Sequence, residues 1–387
     1  MKKFKFIDLF SGIGAFHLAL KDLGGECVFA SEIDPYAIET YKENFGIDSN
    51  HNICDIKAED IPEHDVLCGG FPCQAFSNAG HKKGFADTRG TLFFEIERIL
   101  QHHKTKYIIL ENVKHLLKHD NGNTWTVIKE KLINLGYILT ETPIVMSPHH
   151  IGIPQTRERI FILGVHKDTL TEQINFLDIT TPKKEEYPKT SIYDIIDETY
   201  KENKYNISDY LINVFNAWNE FRQHFNSLTT TIWVDEFGQD YDYTTLGFEK
   251  WKVDYIRKNR EIYNENKEFI DNWLEKYNVK DFKLRDRKFE WQAGKEYNSI
   301  WDVLIQLRQS GIRCKKPTCA PTLVAMVQTP IVGRYKRTIT PREAARLQSF
   351  PDTYILNKNE QKAYKQLGNS ANVEVIKYLA NQLLSKY

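Results

Sequence analysis

A cysteine in the setting of a nucleophile lies just after a strand-like segment. Cys73 follows Gly69-Gly70-Phe71-Pro72, and these residues come directly after the apolar run at 65–68. Open parallel α/β sheets bind ligands at the carboxyl ends of their strands, where a thiolate held by a Gly-Pro loop can attack a substrate. The alternative is a buried structural cysteine, because free cysteine is among the most buried residue types.

Glycines and acids at other strand ends indicate a nucleotide-like cofactor. Gly12 and Gly14 lie where the first strand turns into a helix, and they allow close backbone approach. Glu32 follows the second strand, where an acid accepts hydrogen bonds from ribose hydroxyls. Asp55 follows a predicted third strand and is placed to reach an adenine amino group. Because the third glycine of the dinucleotide fingerprint is absent, the pattern favours S-adenosylmethionine over NAD or FAD. The alternative is a tight turn with incidental acids.

Strand-like and helix-like segments, which must position these residues, alternate along the first third of the chain. Such alternation predicts a parallel α/β sheet. We predict strands at 4–10, 27–30, 65–68 and 107–110, with one more ending near 54–55, and helices at 15–23, 91–100 and 124–135. Helical spacing recurs at 213–225, 248–277 and 373–384.

Length and composition narrow the classes of protein. A chain of 387 residues predicts two domains, and 41% hydrophobic residues with 13% aromatics predict a folded protein. No run is long enough for a membrane span and no signal peptide is evident, so we expect no membrane association. Six irregularly spaced cysteines predict reduced thiols and a cytoplasmic location. We expect no metal site, because no second close pair of cysteines accompanies Cys314 and Cys319. A net charge of +0 neither requires nor excludes nucleic acid.

An ordered series of segments resembles the cytosine-5 DNA methyltransferases of bacterial restriction-modification systems. Each segment is weakly specific alone, but their order is highly specific, and the resemblance covers residues 4–166 and 336–387. The segments are Phe6–Gly14, Gly70–Gln74, Glu111–Val113, Gln155–Arg159, Thr340–Gln348 and Gly368–Ser370.

The resemblance implies an α/β fold with a Rossmann-like, S-adenosylmethionine-dependent methyltransferase sheet and a second, smaller target-recognition domain. Residues 1–180 would form the catalytic and cofactor-binding domain. Residues 190–335 would form the target-recognition domain, and residues 336–387 would return to the catalytic domain.

The resemblance also implies the catalytic roles. Cys73 would add to carbon 6 of a flipped-out cytosine and so make carbon 5 nucleophilic. Glu111 would protonate or hydrogen-bond N3, which requires a raised pKa or a shared proton. Arg159 would bind O2, with Arg157 beside it as support. No side chain is an obvious base for the carbon-5 proton, and water can serve.

The cofactor would be S-adenosyl-L-methionine, with S-adenosyl-L-homocysteine as product. Many relatives place a large aromatic after the acid of the second strand, whereas Ile33 stands here, so we expect weaker cofactor affinity. The implied cofactor-binding residues are Phe10, Ser11, Gly12, Gly14, Glu32, Ile33, Asp55, Ile56, Pro72, Asn369 and Ser370.

Sequence recognition is expected in the middle of the chain. Arg308 and Arg313 could pair with guanine, whereas Lys315 and Lys316 suit phosphates. The resemblance adds Thr322 as a phosphate contact. The alternative for this basic segment is an ordinary solvated loop. Six of the seven tryptophans lie between 200 and 301, which indicates a packed and largely helical subdomain in which the aromatics form core more than base-stacking surface.

The predicted function is therefore methylation of cytosine carbon 5 in a short double-stranded DNA site. We expect a monomer that pairs functionally with a cognate restriction endonuclease. One alternative is an RNA (tRNA) cytosine-5 methyltransferase, against which the long recognition insert and Gly70-Phe71-Pro72-Cys73 argue. Another is a DNA-binding regulator without catalysis, against which intact Cys73, Glu111 and Arg159 argue.

Overall fold

The computed structural model describes residues 3–72, 92–225, 227–323 and 328–387, so Cys73 lies outside the described residues. The strands are β1 (Phe4–Leu9), β2 (Gly25–Ser31), β3 (Val66–Gly70), β4 (Tyr107–Val113), β5 (Tyr137–Leu139), β6 (Ile144–Met146), β7 (Arg159–His166), β8 (Ile232–Trp233), β9 (Lys288–Gln292), β10 (Leu304–Arg308), β11 (Gly311–Lys315), β12 (Ile331–Val332) and β13 (Arg337–Thr338). The helices are α1 (Ala15–Asp22), α2 (Pro35–Phe45), α3 (Leu92–His103), α4 (Asn123–Asn134), α5 (Asp209–His224), α6 (Lys250–Glu265), α7 (Lys267–Tyr277), α8 (Pro341–Leu347), α9 (Glu360–Asn369) and α10 (Val373–Lys386). In these ranges, no helix combines the length and apolar character that a bilayer span requires.

The described residues fall into two units. The first comprises the described residues up to Thr190, then Thr322 and Leu323, and finally Ala344–Tyr387. The second comprises those of 191–321 and 328–343. Residues 336–343, which were expected in the C-terminal segment that returns to the catalytic domain, lie in the second unit. Strand β13 pairs with β12 there, and Arg337 makes a buried ion pair with Glu343 at 2.7 Å.

A seven-stranded sheet organises the first unit, in the order β2-β1-β3-β4-β7-β5 with β6 also paired to β7. Strands β1 to β4 are parallel, and β7 runs antiparallel to β4. The four consecutive residues from Phe6 to Leu9 of β1 are all buried, as expected for a parallel strand covered on both faces. The carboxyl ends of β1 to β4 therefore meet the start of β7 at one edge.

The segment at 53–55 corrects a prediction. No strand ends there; Ile53–Asp55 is a single 3-10 turn. The side-chain oxygen of Asn52 accepts from the Cys54 amide at 3.3 Å and caps this turn. Asparagine side chains compete with strand pairing in this way, which explains the difference.

The second unit has its own aromatic core and its own sheet. Trp218 and Trp273 are fully buried, and Trp218 stacks on Phe289 with ring centroids 4.7 Å apart. Both indole N–H groups donate to backbone carbonyls, of Asp286 and Ala217. A six-stranded sheet in the order β13-β12-β10-β11-β9-β8 accompanies helices α5 to α7, so this unit is less helical than its sequence pattern predicted.

Candidate active site

The turn from β1 to α1 is the most constrained part of the site. Phe10 has φ +55°, an uncommon conformation for a non-glycine residue, and Gly12 and Gly14 have φ +53° and +80°. A Cβ on Gly14 would lie 2.2 Å from the Phe45 ring, so packing requires glycine there. The backbone therefore turns sharply where the strand ends, and the amides of Ser11 and Gly14 donate to backbone carbonyls that hold this turn.

Glu32 links this turn to the end of β2. Its Oε2 accepts from the Gly12 amide at 2.8 Å, and its Oε1 accepts from the amides of Ile33 and Asp34 at 2.7 and 2.8 Å. A carboxylate has about four acceptor positions, so one of them is left for a further donor.

A cavity of about 520 Å³ opens at this edge of the sheet. It is lined by eleven of the predicted site residues: Phe10, Ser11, Gly12, Glu32, Ile33, Pro72, Glu111, Arg157, Arg159, Asn369 and Ser370. The Ser11 hydroxyl is buried and makes no hydrogen bond within the described chain. Ile33 is 73% exposed at the cavity rim.

Three predicted cofactor residues do not line this cavity. Gly14 acts through the shape of the turn. Asp55 is exposed, and its Oδ2 accepts from Asn52 Nδ2 at 2.9 Å. Ile56 packs on the apolar core, and its carbonyl accepts from Arg98 at 2.8 Å. The 3-10 turn therefore directs both side chains away from the cavity wall.

Glu111 and Arg159 form an ion pair in the lining of the cavity. Arg159 Nε lies 3.0 Å from Glu111 Oε1, and the two side chains are only 17% and 13% exposed. Burial raises the pKa of the Glu111 carboxyl above its ordinary value, and the charges of Arg159 and Arg157 oppose that shift without cancelling it. The pair thus holds a carboxyl that can keep a proton beside a fixed guanidinium.

Arg157 connects separate segments of the first unit. It is 2% exposed, and its two Nη atoms donate to the carbonyls of Leu323 and Gly368 at 2.8 and 2.7 Å. Burial and the nearby Arg159 lower its pKa to about 9. Its two backbone contacts join residues 323 and 368 beside the cavity.

Sequence reasoning missed several residues of the cavity. Asn112 is buried and donates to the Phe71 carbonyl at 2.8 Å, which fixes the backbone just before Pro72. Lys365 lines the cavity near Asp34, at 3.4 Å from its carboxylate. The position of Asn112 directly after Glu111 could have signalled its role, whereas nothing local to Lys365 does.

The predicted DNA-contacting residues are partly engaged already. Arg308 and Arg313 flank one acid, Glu290, and Lys316 is paired with Glu296. In the first unit, the Thr322 hydroxyl donates to the Thr156 carbonyl at 2.8 Å, so its proton is committed to the protein. Among the described residues, no three side chains of His, Cys, Asp or Glu converge to hold a metal ion.

Comparison with known proteins decides the family. Residues 4–385 match the family of C-5 cytosine-specific DNA methylases. The chain belongs to this family. Relatives include the Type II methyltransferases M.HpaII of Haemophilus parainfluenzae (35% identical, covering 100% of this chain and 90% of the relative) and M.HhaI of Haemophilus parahaemolyticus (32%, 97% and 93%).

Solved structures agree on the fold. A putative DNA modification methyltransferase from an Escherichia coli prophage has a TM-score of 0.59 at 22% identity, with 98% of each chain covered. A DNMT2 mutant of Spodoptera frugiperda has a TM-score of 0.59 at 20% identity, covering 98% of this chain and 99% of that one. This chain has the α/β methyltransferase fold. The family to which it belongs methylates carbon 5 of cytosine in DNA and uses S-adenosylmethionine.

Proposed function

We propose that this chain transfers the methyl group of S-adenosylmethionine to carbon 5 of a flipped-out cytosine in a short double-stranded DNA site. The observation that carries the proposal is the buried Glu111–Arg159 pair in the same cavity as Phe10 and Glu32. A protonatable carboxyl next to a fixed cation suits a ring that gains negative charge.

The cavity residues fit the cofactor. The buried Ser11 hydroxyl has no hydrogen-bond partner among the described residues, and Glu32 keeps an acceptor position for ribose hydroxyls. Phe10 offers an aromatic face, and Asn369 and Ser370 line the same cavity. S-adenosylmethionine would supply an electrophilic methyl group that the activated carbon 5 accepts.

The protein's own residues activate the base. The Cys73 thiolate adds to carbon 6, and the displaced electron pair moves toward N3 and O2. Glu111 gives a proton to N3, while Arg159 donates hydrogen bonds to O2. After methyl transfer, a water molecule takes the carbon-5 proton and the bond between carbon 6 and sulfur breaks, which releases Cys73 as a thiolate. N3 returns its proton to Glu111. Arg157 and Asn112 hold the surrounding backbone in place.

Mapping 5-methylcytosine in the genome of methylation-deficient bacterial cells that express this chain tests the proposal. We expect one cytosine to be modified in every copy of a short sequence. The Cys73→Ser variant should leave no modification, because only the thiolate adds to carbon 6 at a useful rate. Cys54→Ser, which alters an exposed cysteine, is the matched control and should methylate normally.

Two results would contradict the proposal. Unmodified DNA together with 5-methylcytosine in transfer RNA would favour the RNA alternative. Sequence-specific DNA binding without any modification would favour the regulator. Intact Cys73, Glu111 and Arg159 count against that second outcome.

We further infer a biological setting from the relatives, which are named Type II methyltransferases. The chain would act as a monomer on bacterial cytoplasmic DNA and protect it from a restriction endonuclease of the same specificity. Genomic DNA from expressing cells should then resist that endonuclease, once the mapped site identifies it.

A further inference from the structure

The sheet of the second unit has one apolar and one polar face. In β9 and β11, Phe289, Ile312 and Cys314 are buried in the aromatic core. Alternate residues along each strand point to opposite faces. Glu290 and Arg313 lie directly opposite each other across these paired strands and therefore share the other face.

Glu290 is the centre of a charge cluster on this polar face. Its Oε2 accepts from Arg313 Nε at 2.7 Å, and Gln292 Nε2 donates to its Oε1. Arg308 approaches the same Oε2 only to 3.7 Å, and within the described chain its buried Nη1 makes no hydrogen bond. Glu290 thus fixes the guanidinium of Arg313, whereas the guanidinium of Arg308 keeps an Nη1 group without a hydrogen bond among the described residues.

The cluster carries more positive than negative charge. Burial lowers the pKa of Lys315, and the nearby Arg313 and Arg308 lower it further, while the charge of Glu290 opposes the shift. All three cations lie near the carboxylate of Glu290, and the arginine and glutamate side chains are only about one quarter to one third exposed. Partly buried cations without enough counter-charge are costly, so the arrangement indicates an anionic or acceptor-rich partner.

We propose that Glu290 is a positioning residue for sequence specificity, which it provides by orienting Arg313 toward a guanine of the DNA site. This inference rests on the proposed function. Because Glu290 holds Arg313 through Nε, both Nη groups stay available as a fork for O6 and N7 of one guanine. A β-ribbon such as β10–β11 fits the major groove, where that base edge is exposed.

Glu290 acts through Arg313 and also repels DNA by its own charge, so its removal has a distinctive signature. In Glu290→Ala, the preference for the cognate site over a duplex with that guanine replaced should fall roughly tenfold, within the about 5- to 150-fold that a bidentate contact supplies. Affinity for unrelated DNA should rise, because one repulsive charge is gone. If Glu290 only stabilised the fold, its removal would lower both the preference for the cognate site and the affinity for unrelated DNA.

Companion variants keep the test interpretable. Glu290→Gln retains an acceptor oxygen for Arg313 Nε and should recover part of the discrimination. The double variant Glu290→Ala/Arg313→Ala should discriminate no worse than Arg313→Ala alone, since the two residues act as one unit. Asp235→Ala removes a comparable acid from Arg287 at 2.8 Å in the same unit and should change neither property.

The measurement is kcat/KM on the mapped cognate duplex and on single-replacement duplexes, with binding to unrelated DNA across a salt series. If the wild-type enzyme methylates its site and Glu290→Ala keeps the wild-type preference for the cognate duplex at every position, the role of Glu290 is wrong. The proposed function then still stands. An equal change on all duplexes with an altered salt slope assigns the cluster to phosphate and also overturns this role of Glu290. A wild-type chain that methylates no DNA would overturn the proposed function as well.

Discussion

Burial and charge act on Glu111 in opposite directions. Removal of its carboxyl from water raises the pKa, while Arg159 at 3.0 Å and the nearby Arg157 favour the ionised form. The net shift is upward, which increases the fraction of Glu111 that carries a proton near neutral pH. A proton donor for N3 is what the proposed reaction requires from this residue.

Substituting Glu111 should therefore change the pH profile as well as the rate. The reaction needs an ionised Cys73 thiol together with a protonated Glu111, so the wild-type single-turnover rate should rise and then fall as pH increases. Glu111→Gln cannot ionise, so it should lack the alkaline fall and be slower by about 10²- to 10⁴-fold.

Cofactor affinity is the control for this variant, and it should match that of wild type. Methyl-transfer rates measured across neutral and alkaline pH provide the test. An alkaline fall of the same shape in Glu111→Gln would assign that limb to another group.

Single residues were predicted with uneven success. The strand-end pattern predicted Glu32 and the family resemblance predicted Glu111 and Arg159, and all three residues line the cavity. It could not identify Lys365, because that residue reaches the cavity only through the packing of α9. Asp55 was placed by analogy with a strand end, and the 3-10 turn directs it elsewhere.

At the scale of elements, the turns after β1 and β2 depend on one carboxylate. Glu32 accepts backbone hydrogen bonds from Gly12 in the first turn and from Ile33 and Asp34 in the second. Charge-assisted hydrogen bonds of this kind are stronger than neutral ones. Glu32 therefore fixes both loops in addition to any contact it makes with a ribose.

Glu32→Ala should weaken S-adenosylmethionine binding by about 1.5–3 kcal/mol, the usual contribution of a hydrogen bond to a charged group. Calorimetric titration measures this change directly. Glu39→Ala, an exposed acid on α2 outside the cavity, is the matched control and should bind like wild type. Wild-type affinity in Glu32→Ala would refute the ribose role.

The longer helices and strands could be predicted from the periodicity of the sequence, whereas the shortest strands could not. Helix α1 was predicted at 15–23 and spans Ala15–Asp22, and the strand predicted at 4–10 spans Phe4–Leu9. Strands β8, β12 and β13 contain only two residues each, too few for any alternation to show. Their stability comes from neighbouring strands in the sheet, which is why the second unit looked more helical from its sequence.

At the scale of the whole molecule, the chain returns to its first unit after forming the second. Helix α10 belongs to the first unit with α1, and Lys377 of α10 pairs with Asp22 of α1 at 2.7 Å. The apolar spacing of 373–384 predicted a helix with one buried face, and Val375, Ile376, Leu379 and Leu383 are buried. The exact point of return required tertiary information, because strand pairing in β13 decides it.

The central claim is that Cys73 forms a covalent bond with carbon 6 of the target cytosine. A duplex with 5-fluorocytosine at the mapped target tests it most directly, since fluorine cannot leave as a proton does. Incubation with enzyme and S-adenosylmethionine should give a stable protein–DNA adduct, and peptide mass spectrometry should locate it at Cys73. An adduct at Cys68 or another residue, or normal turnover on the fluorinated duplex without any adduct, would contradict the account.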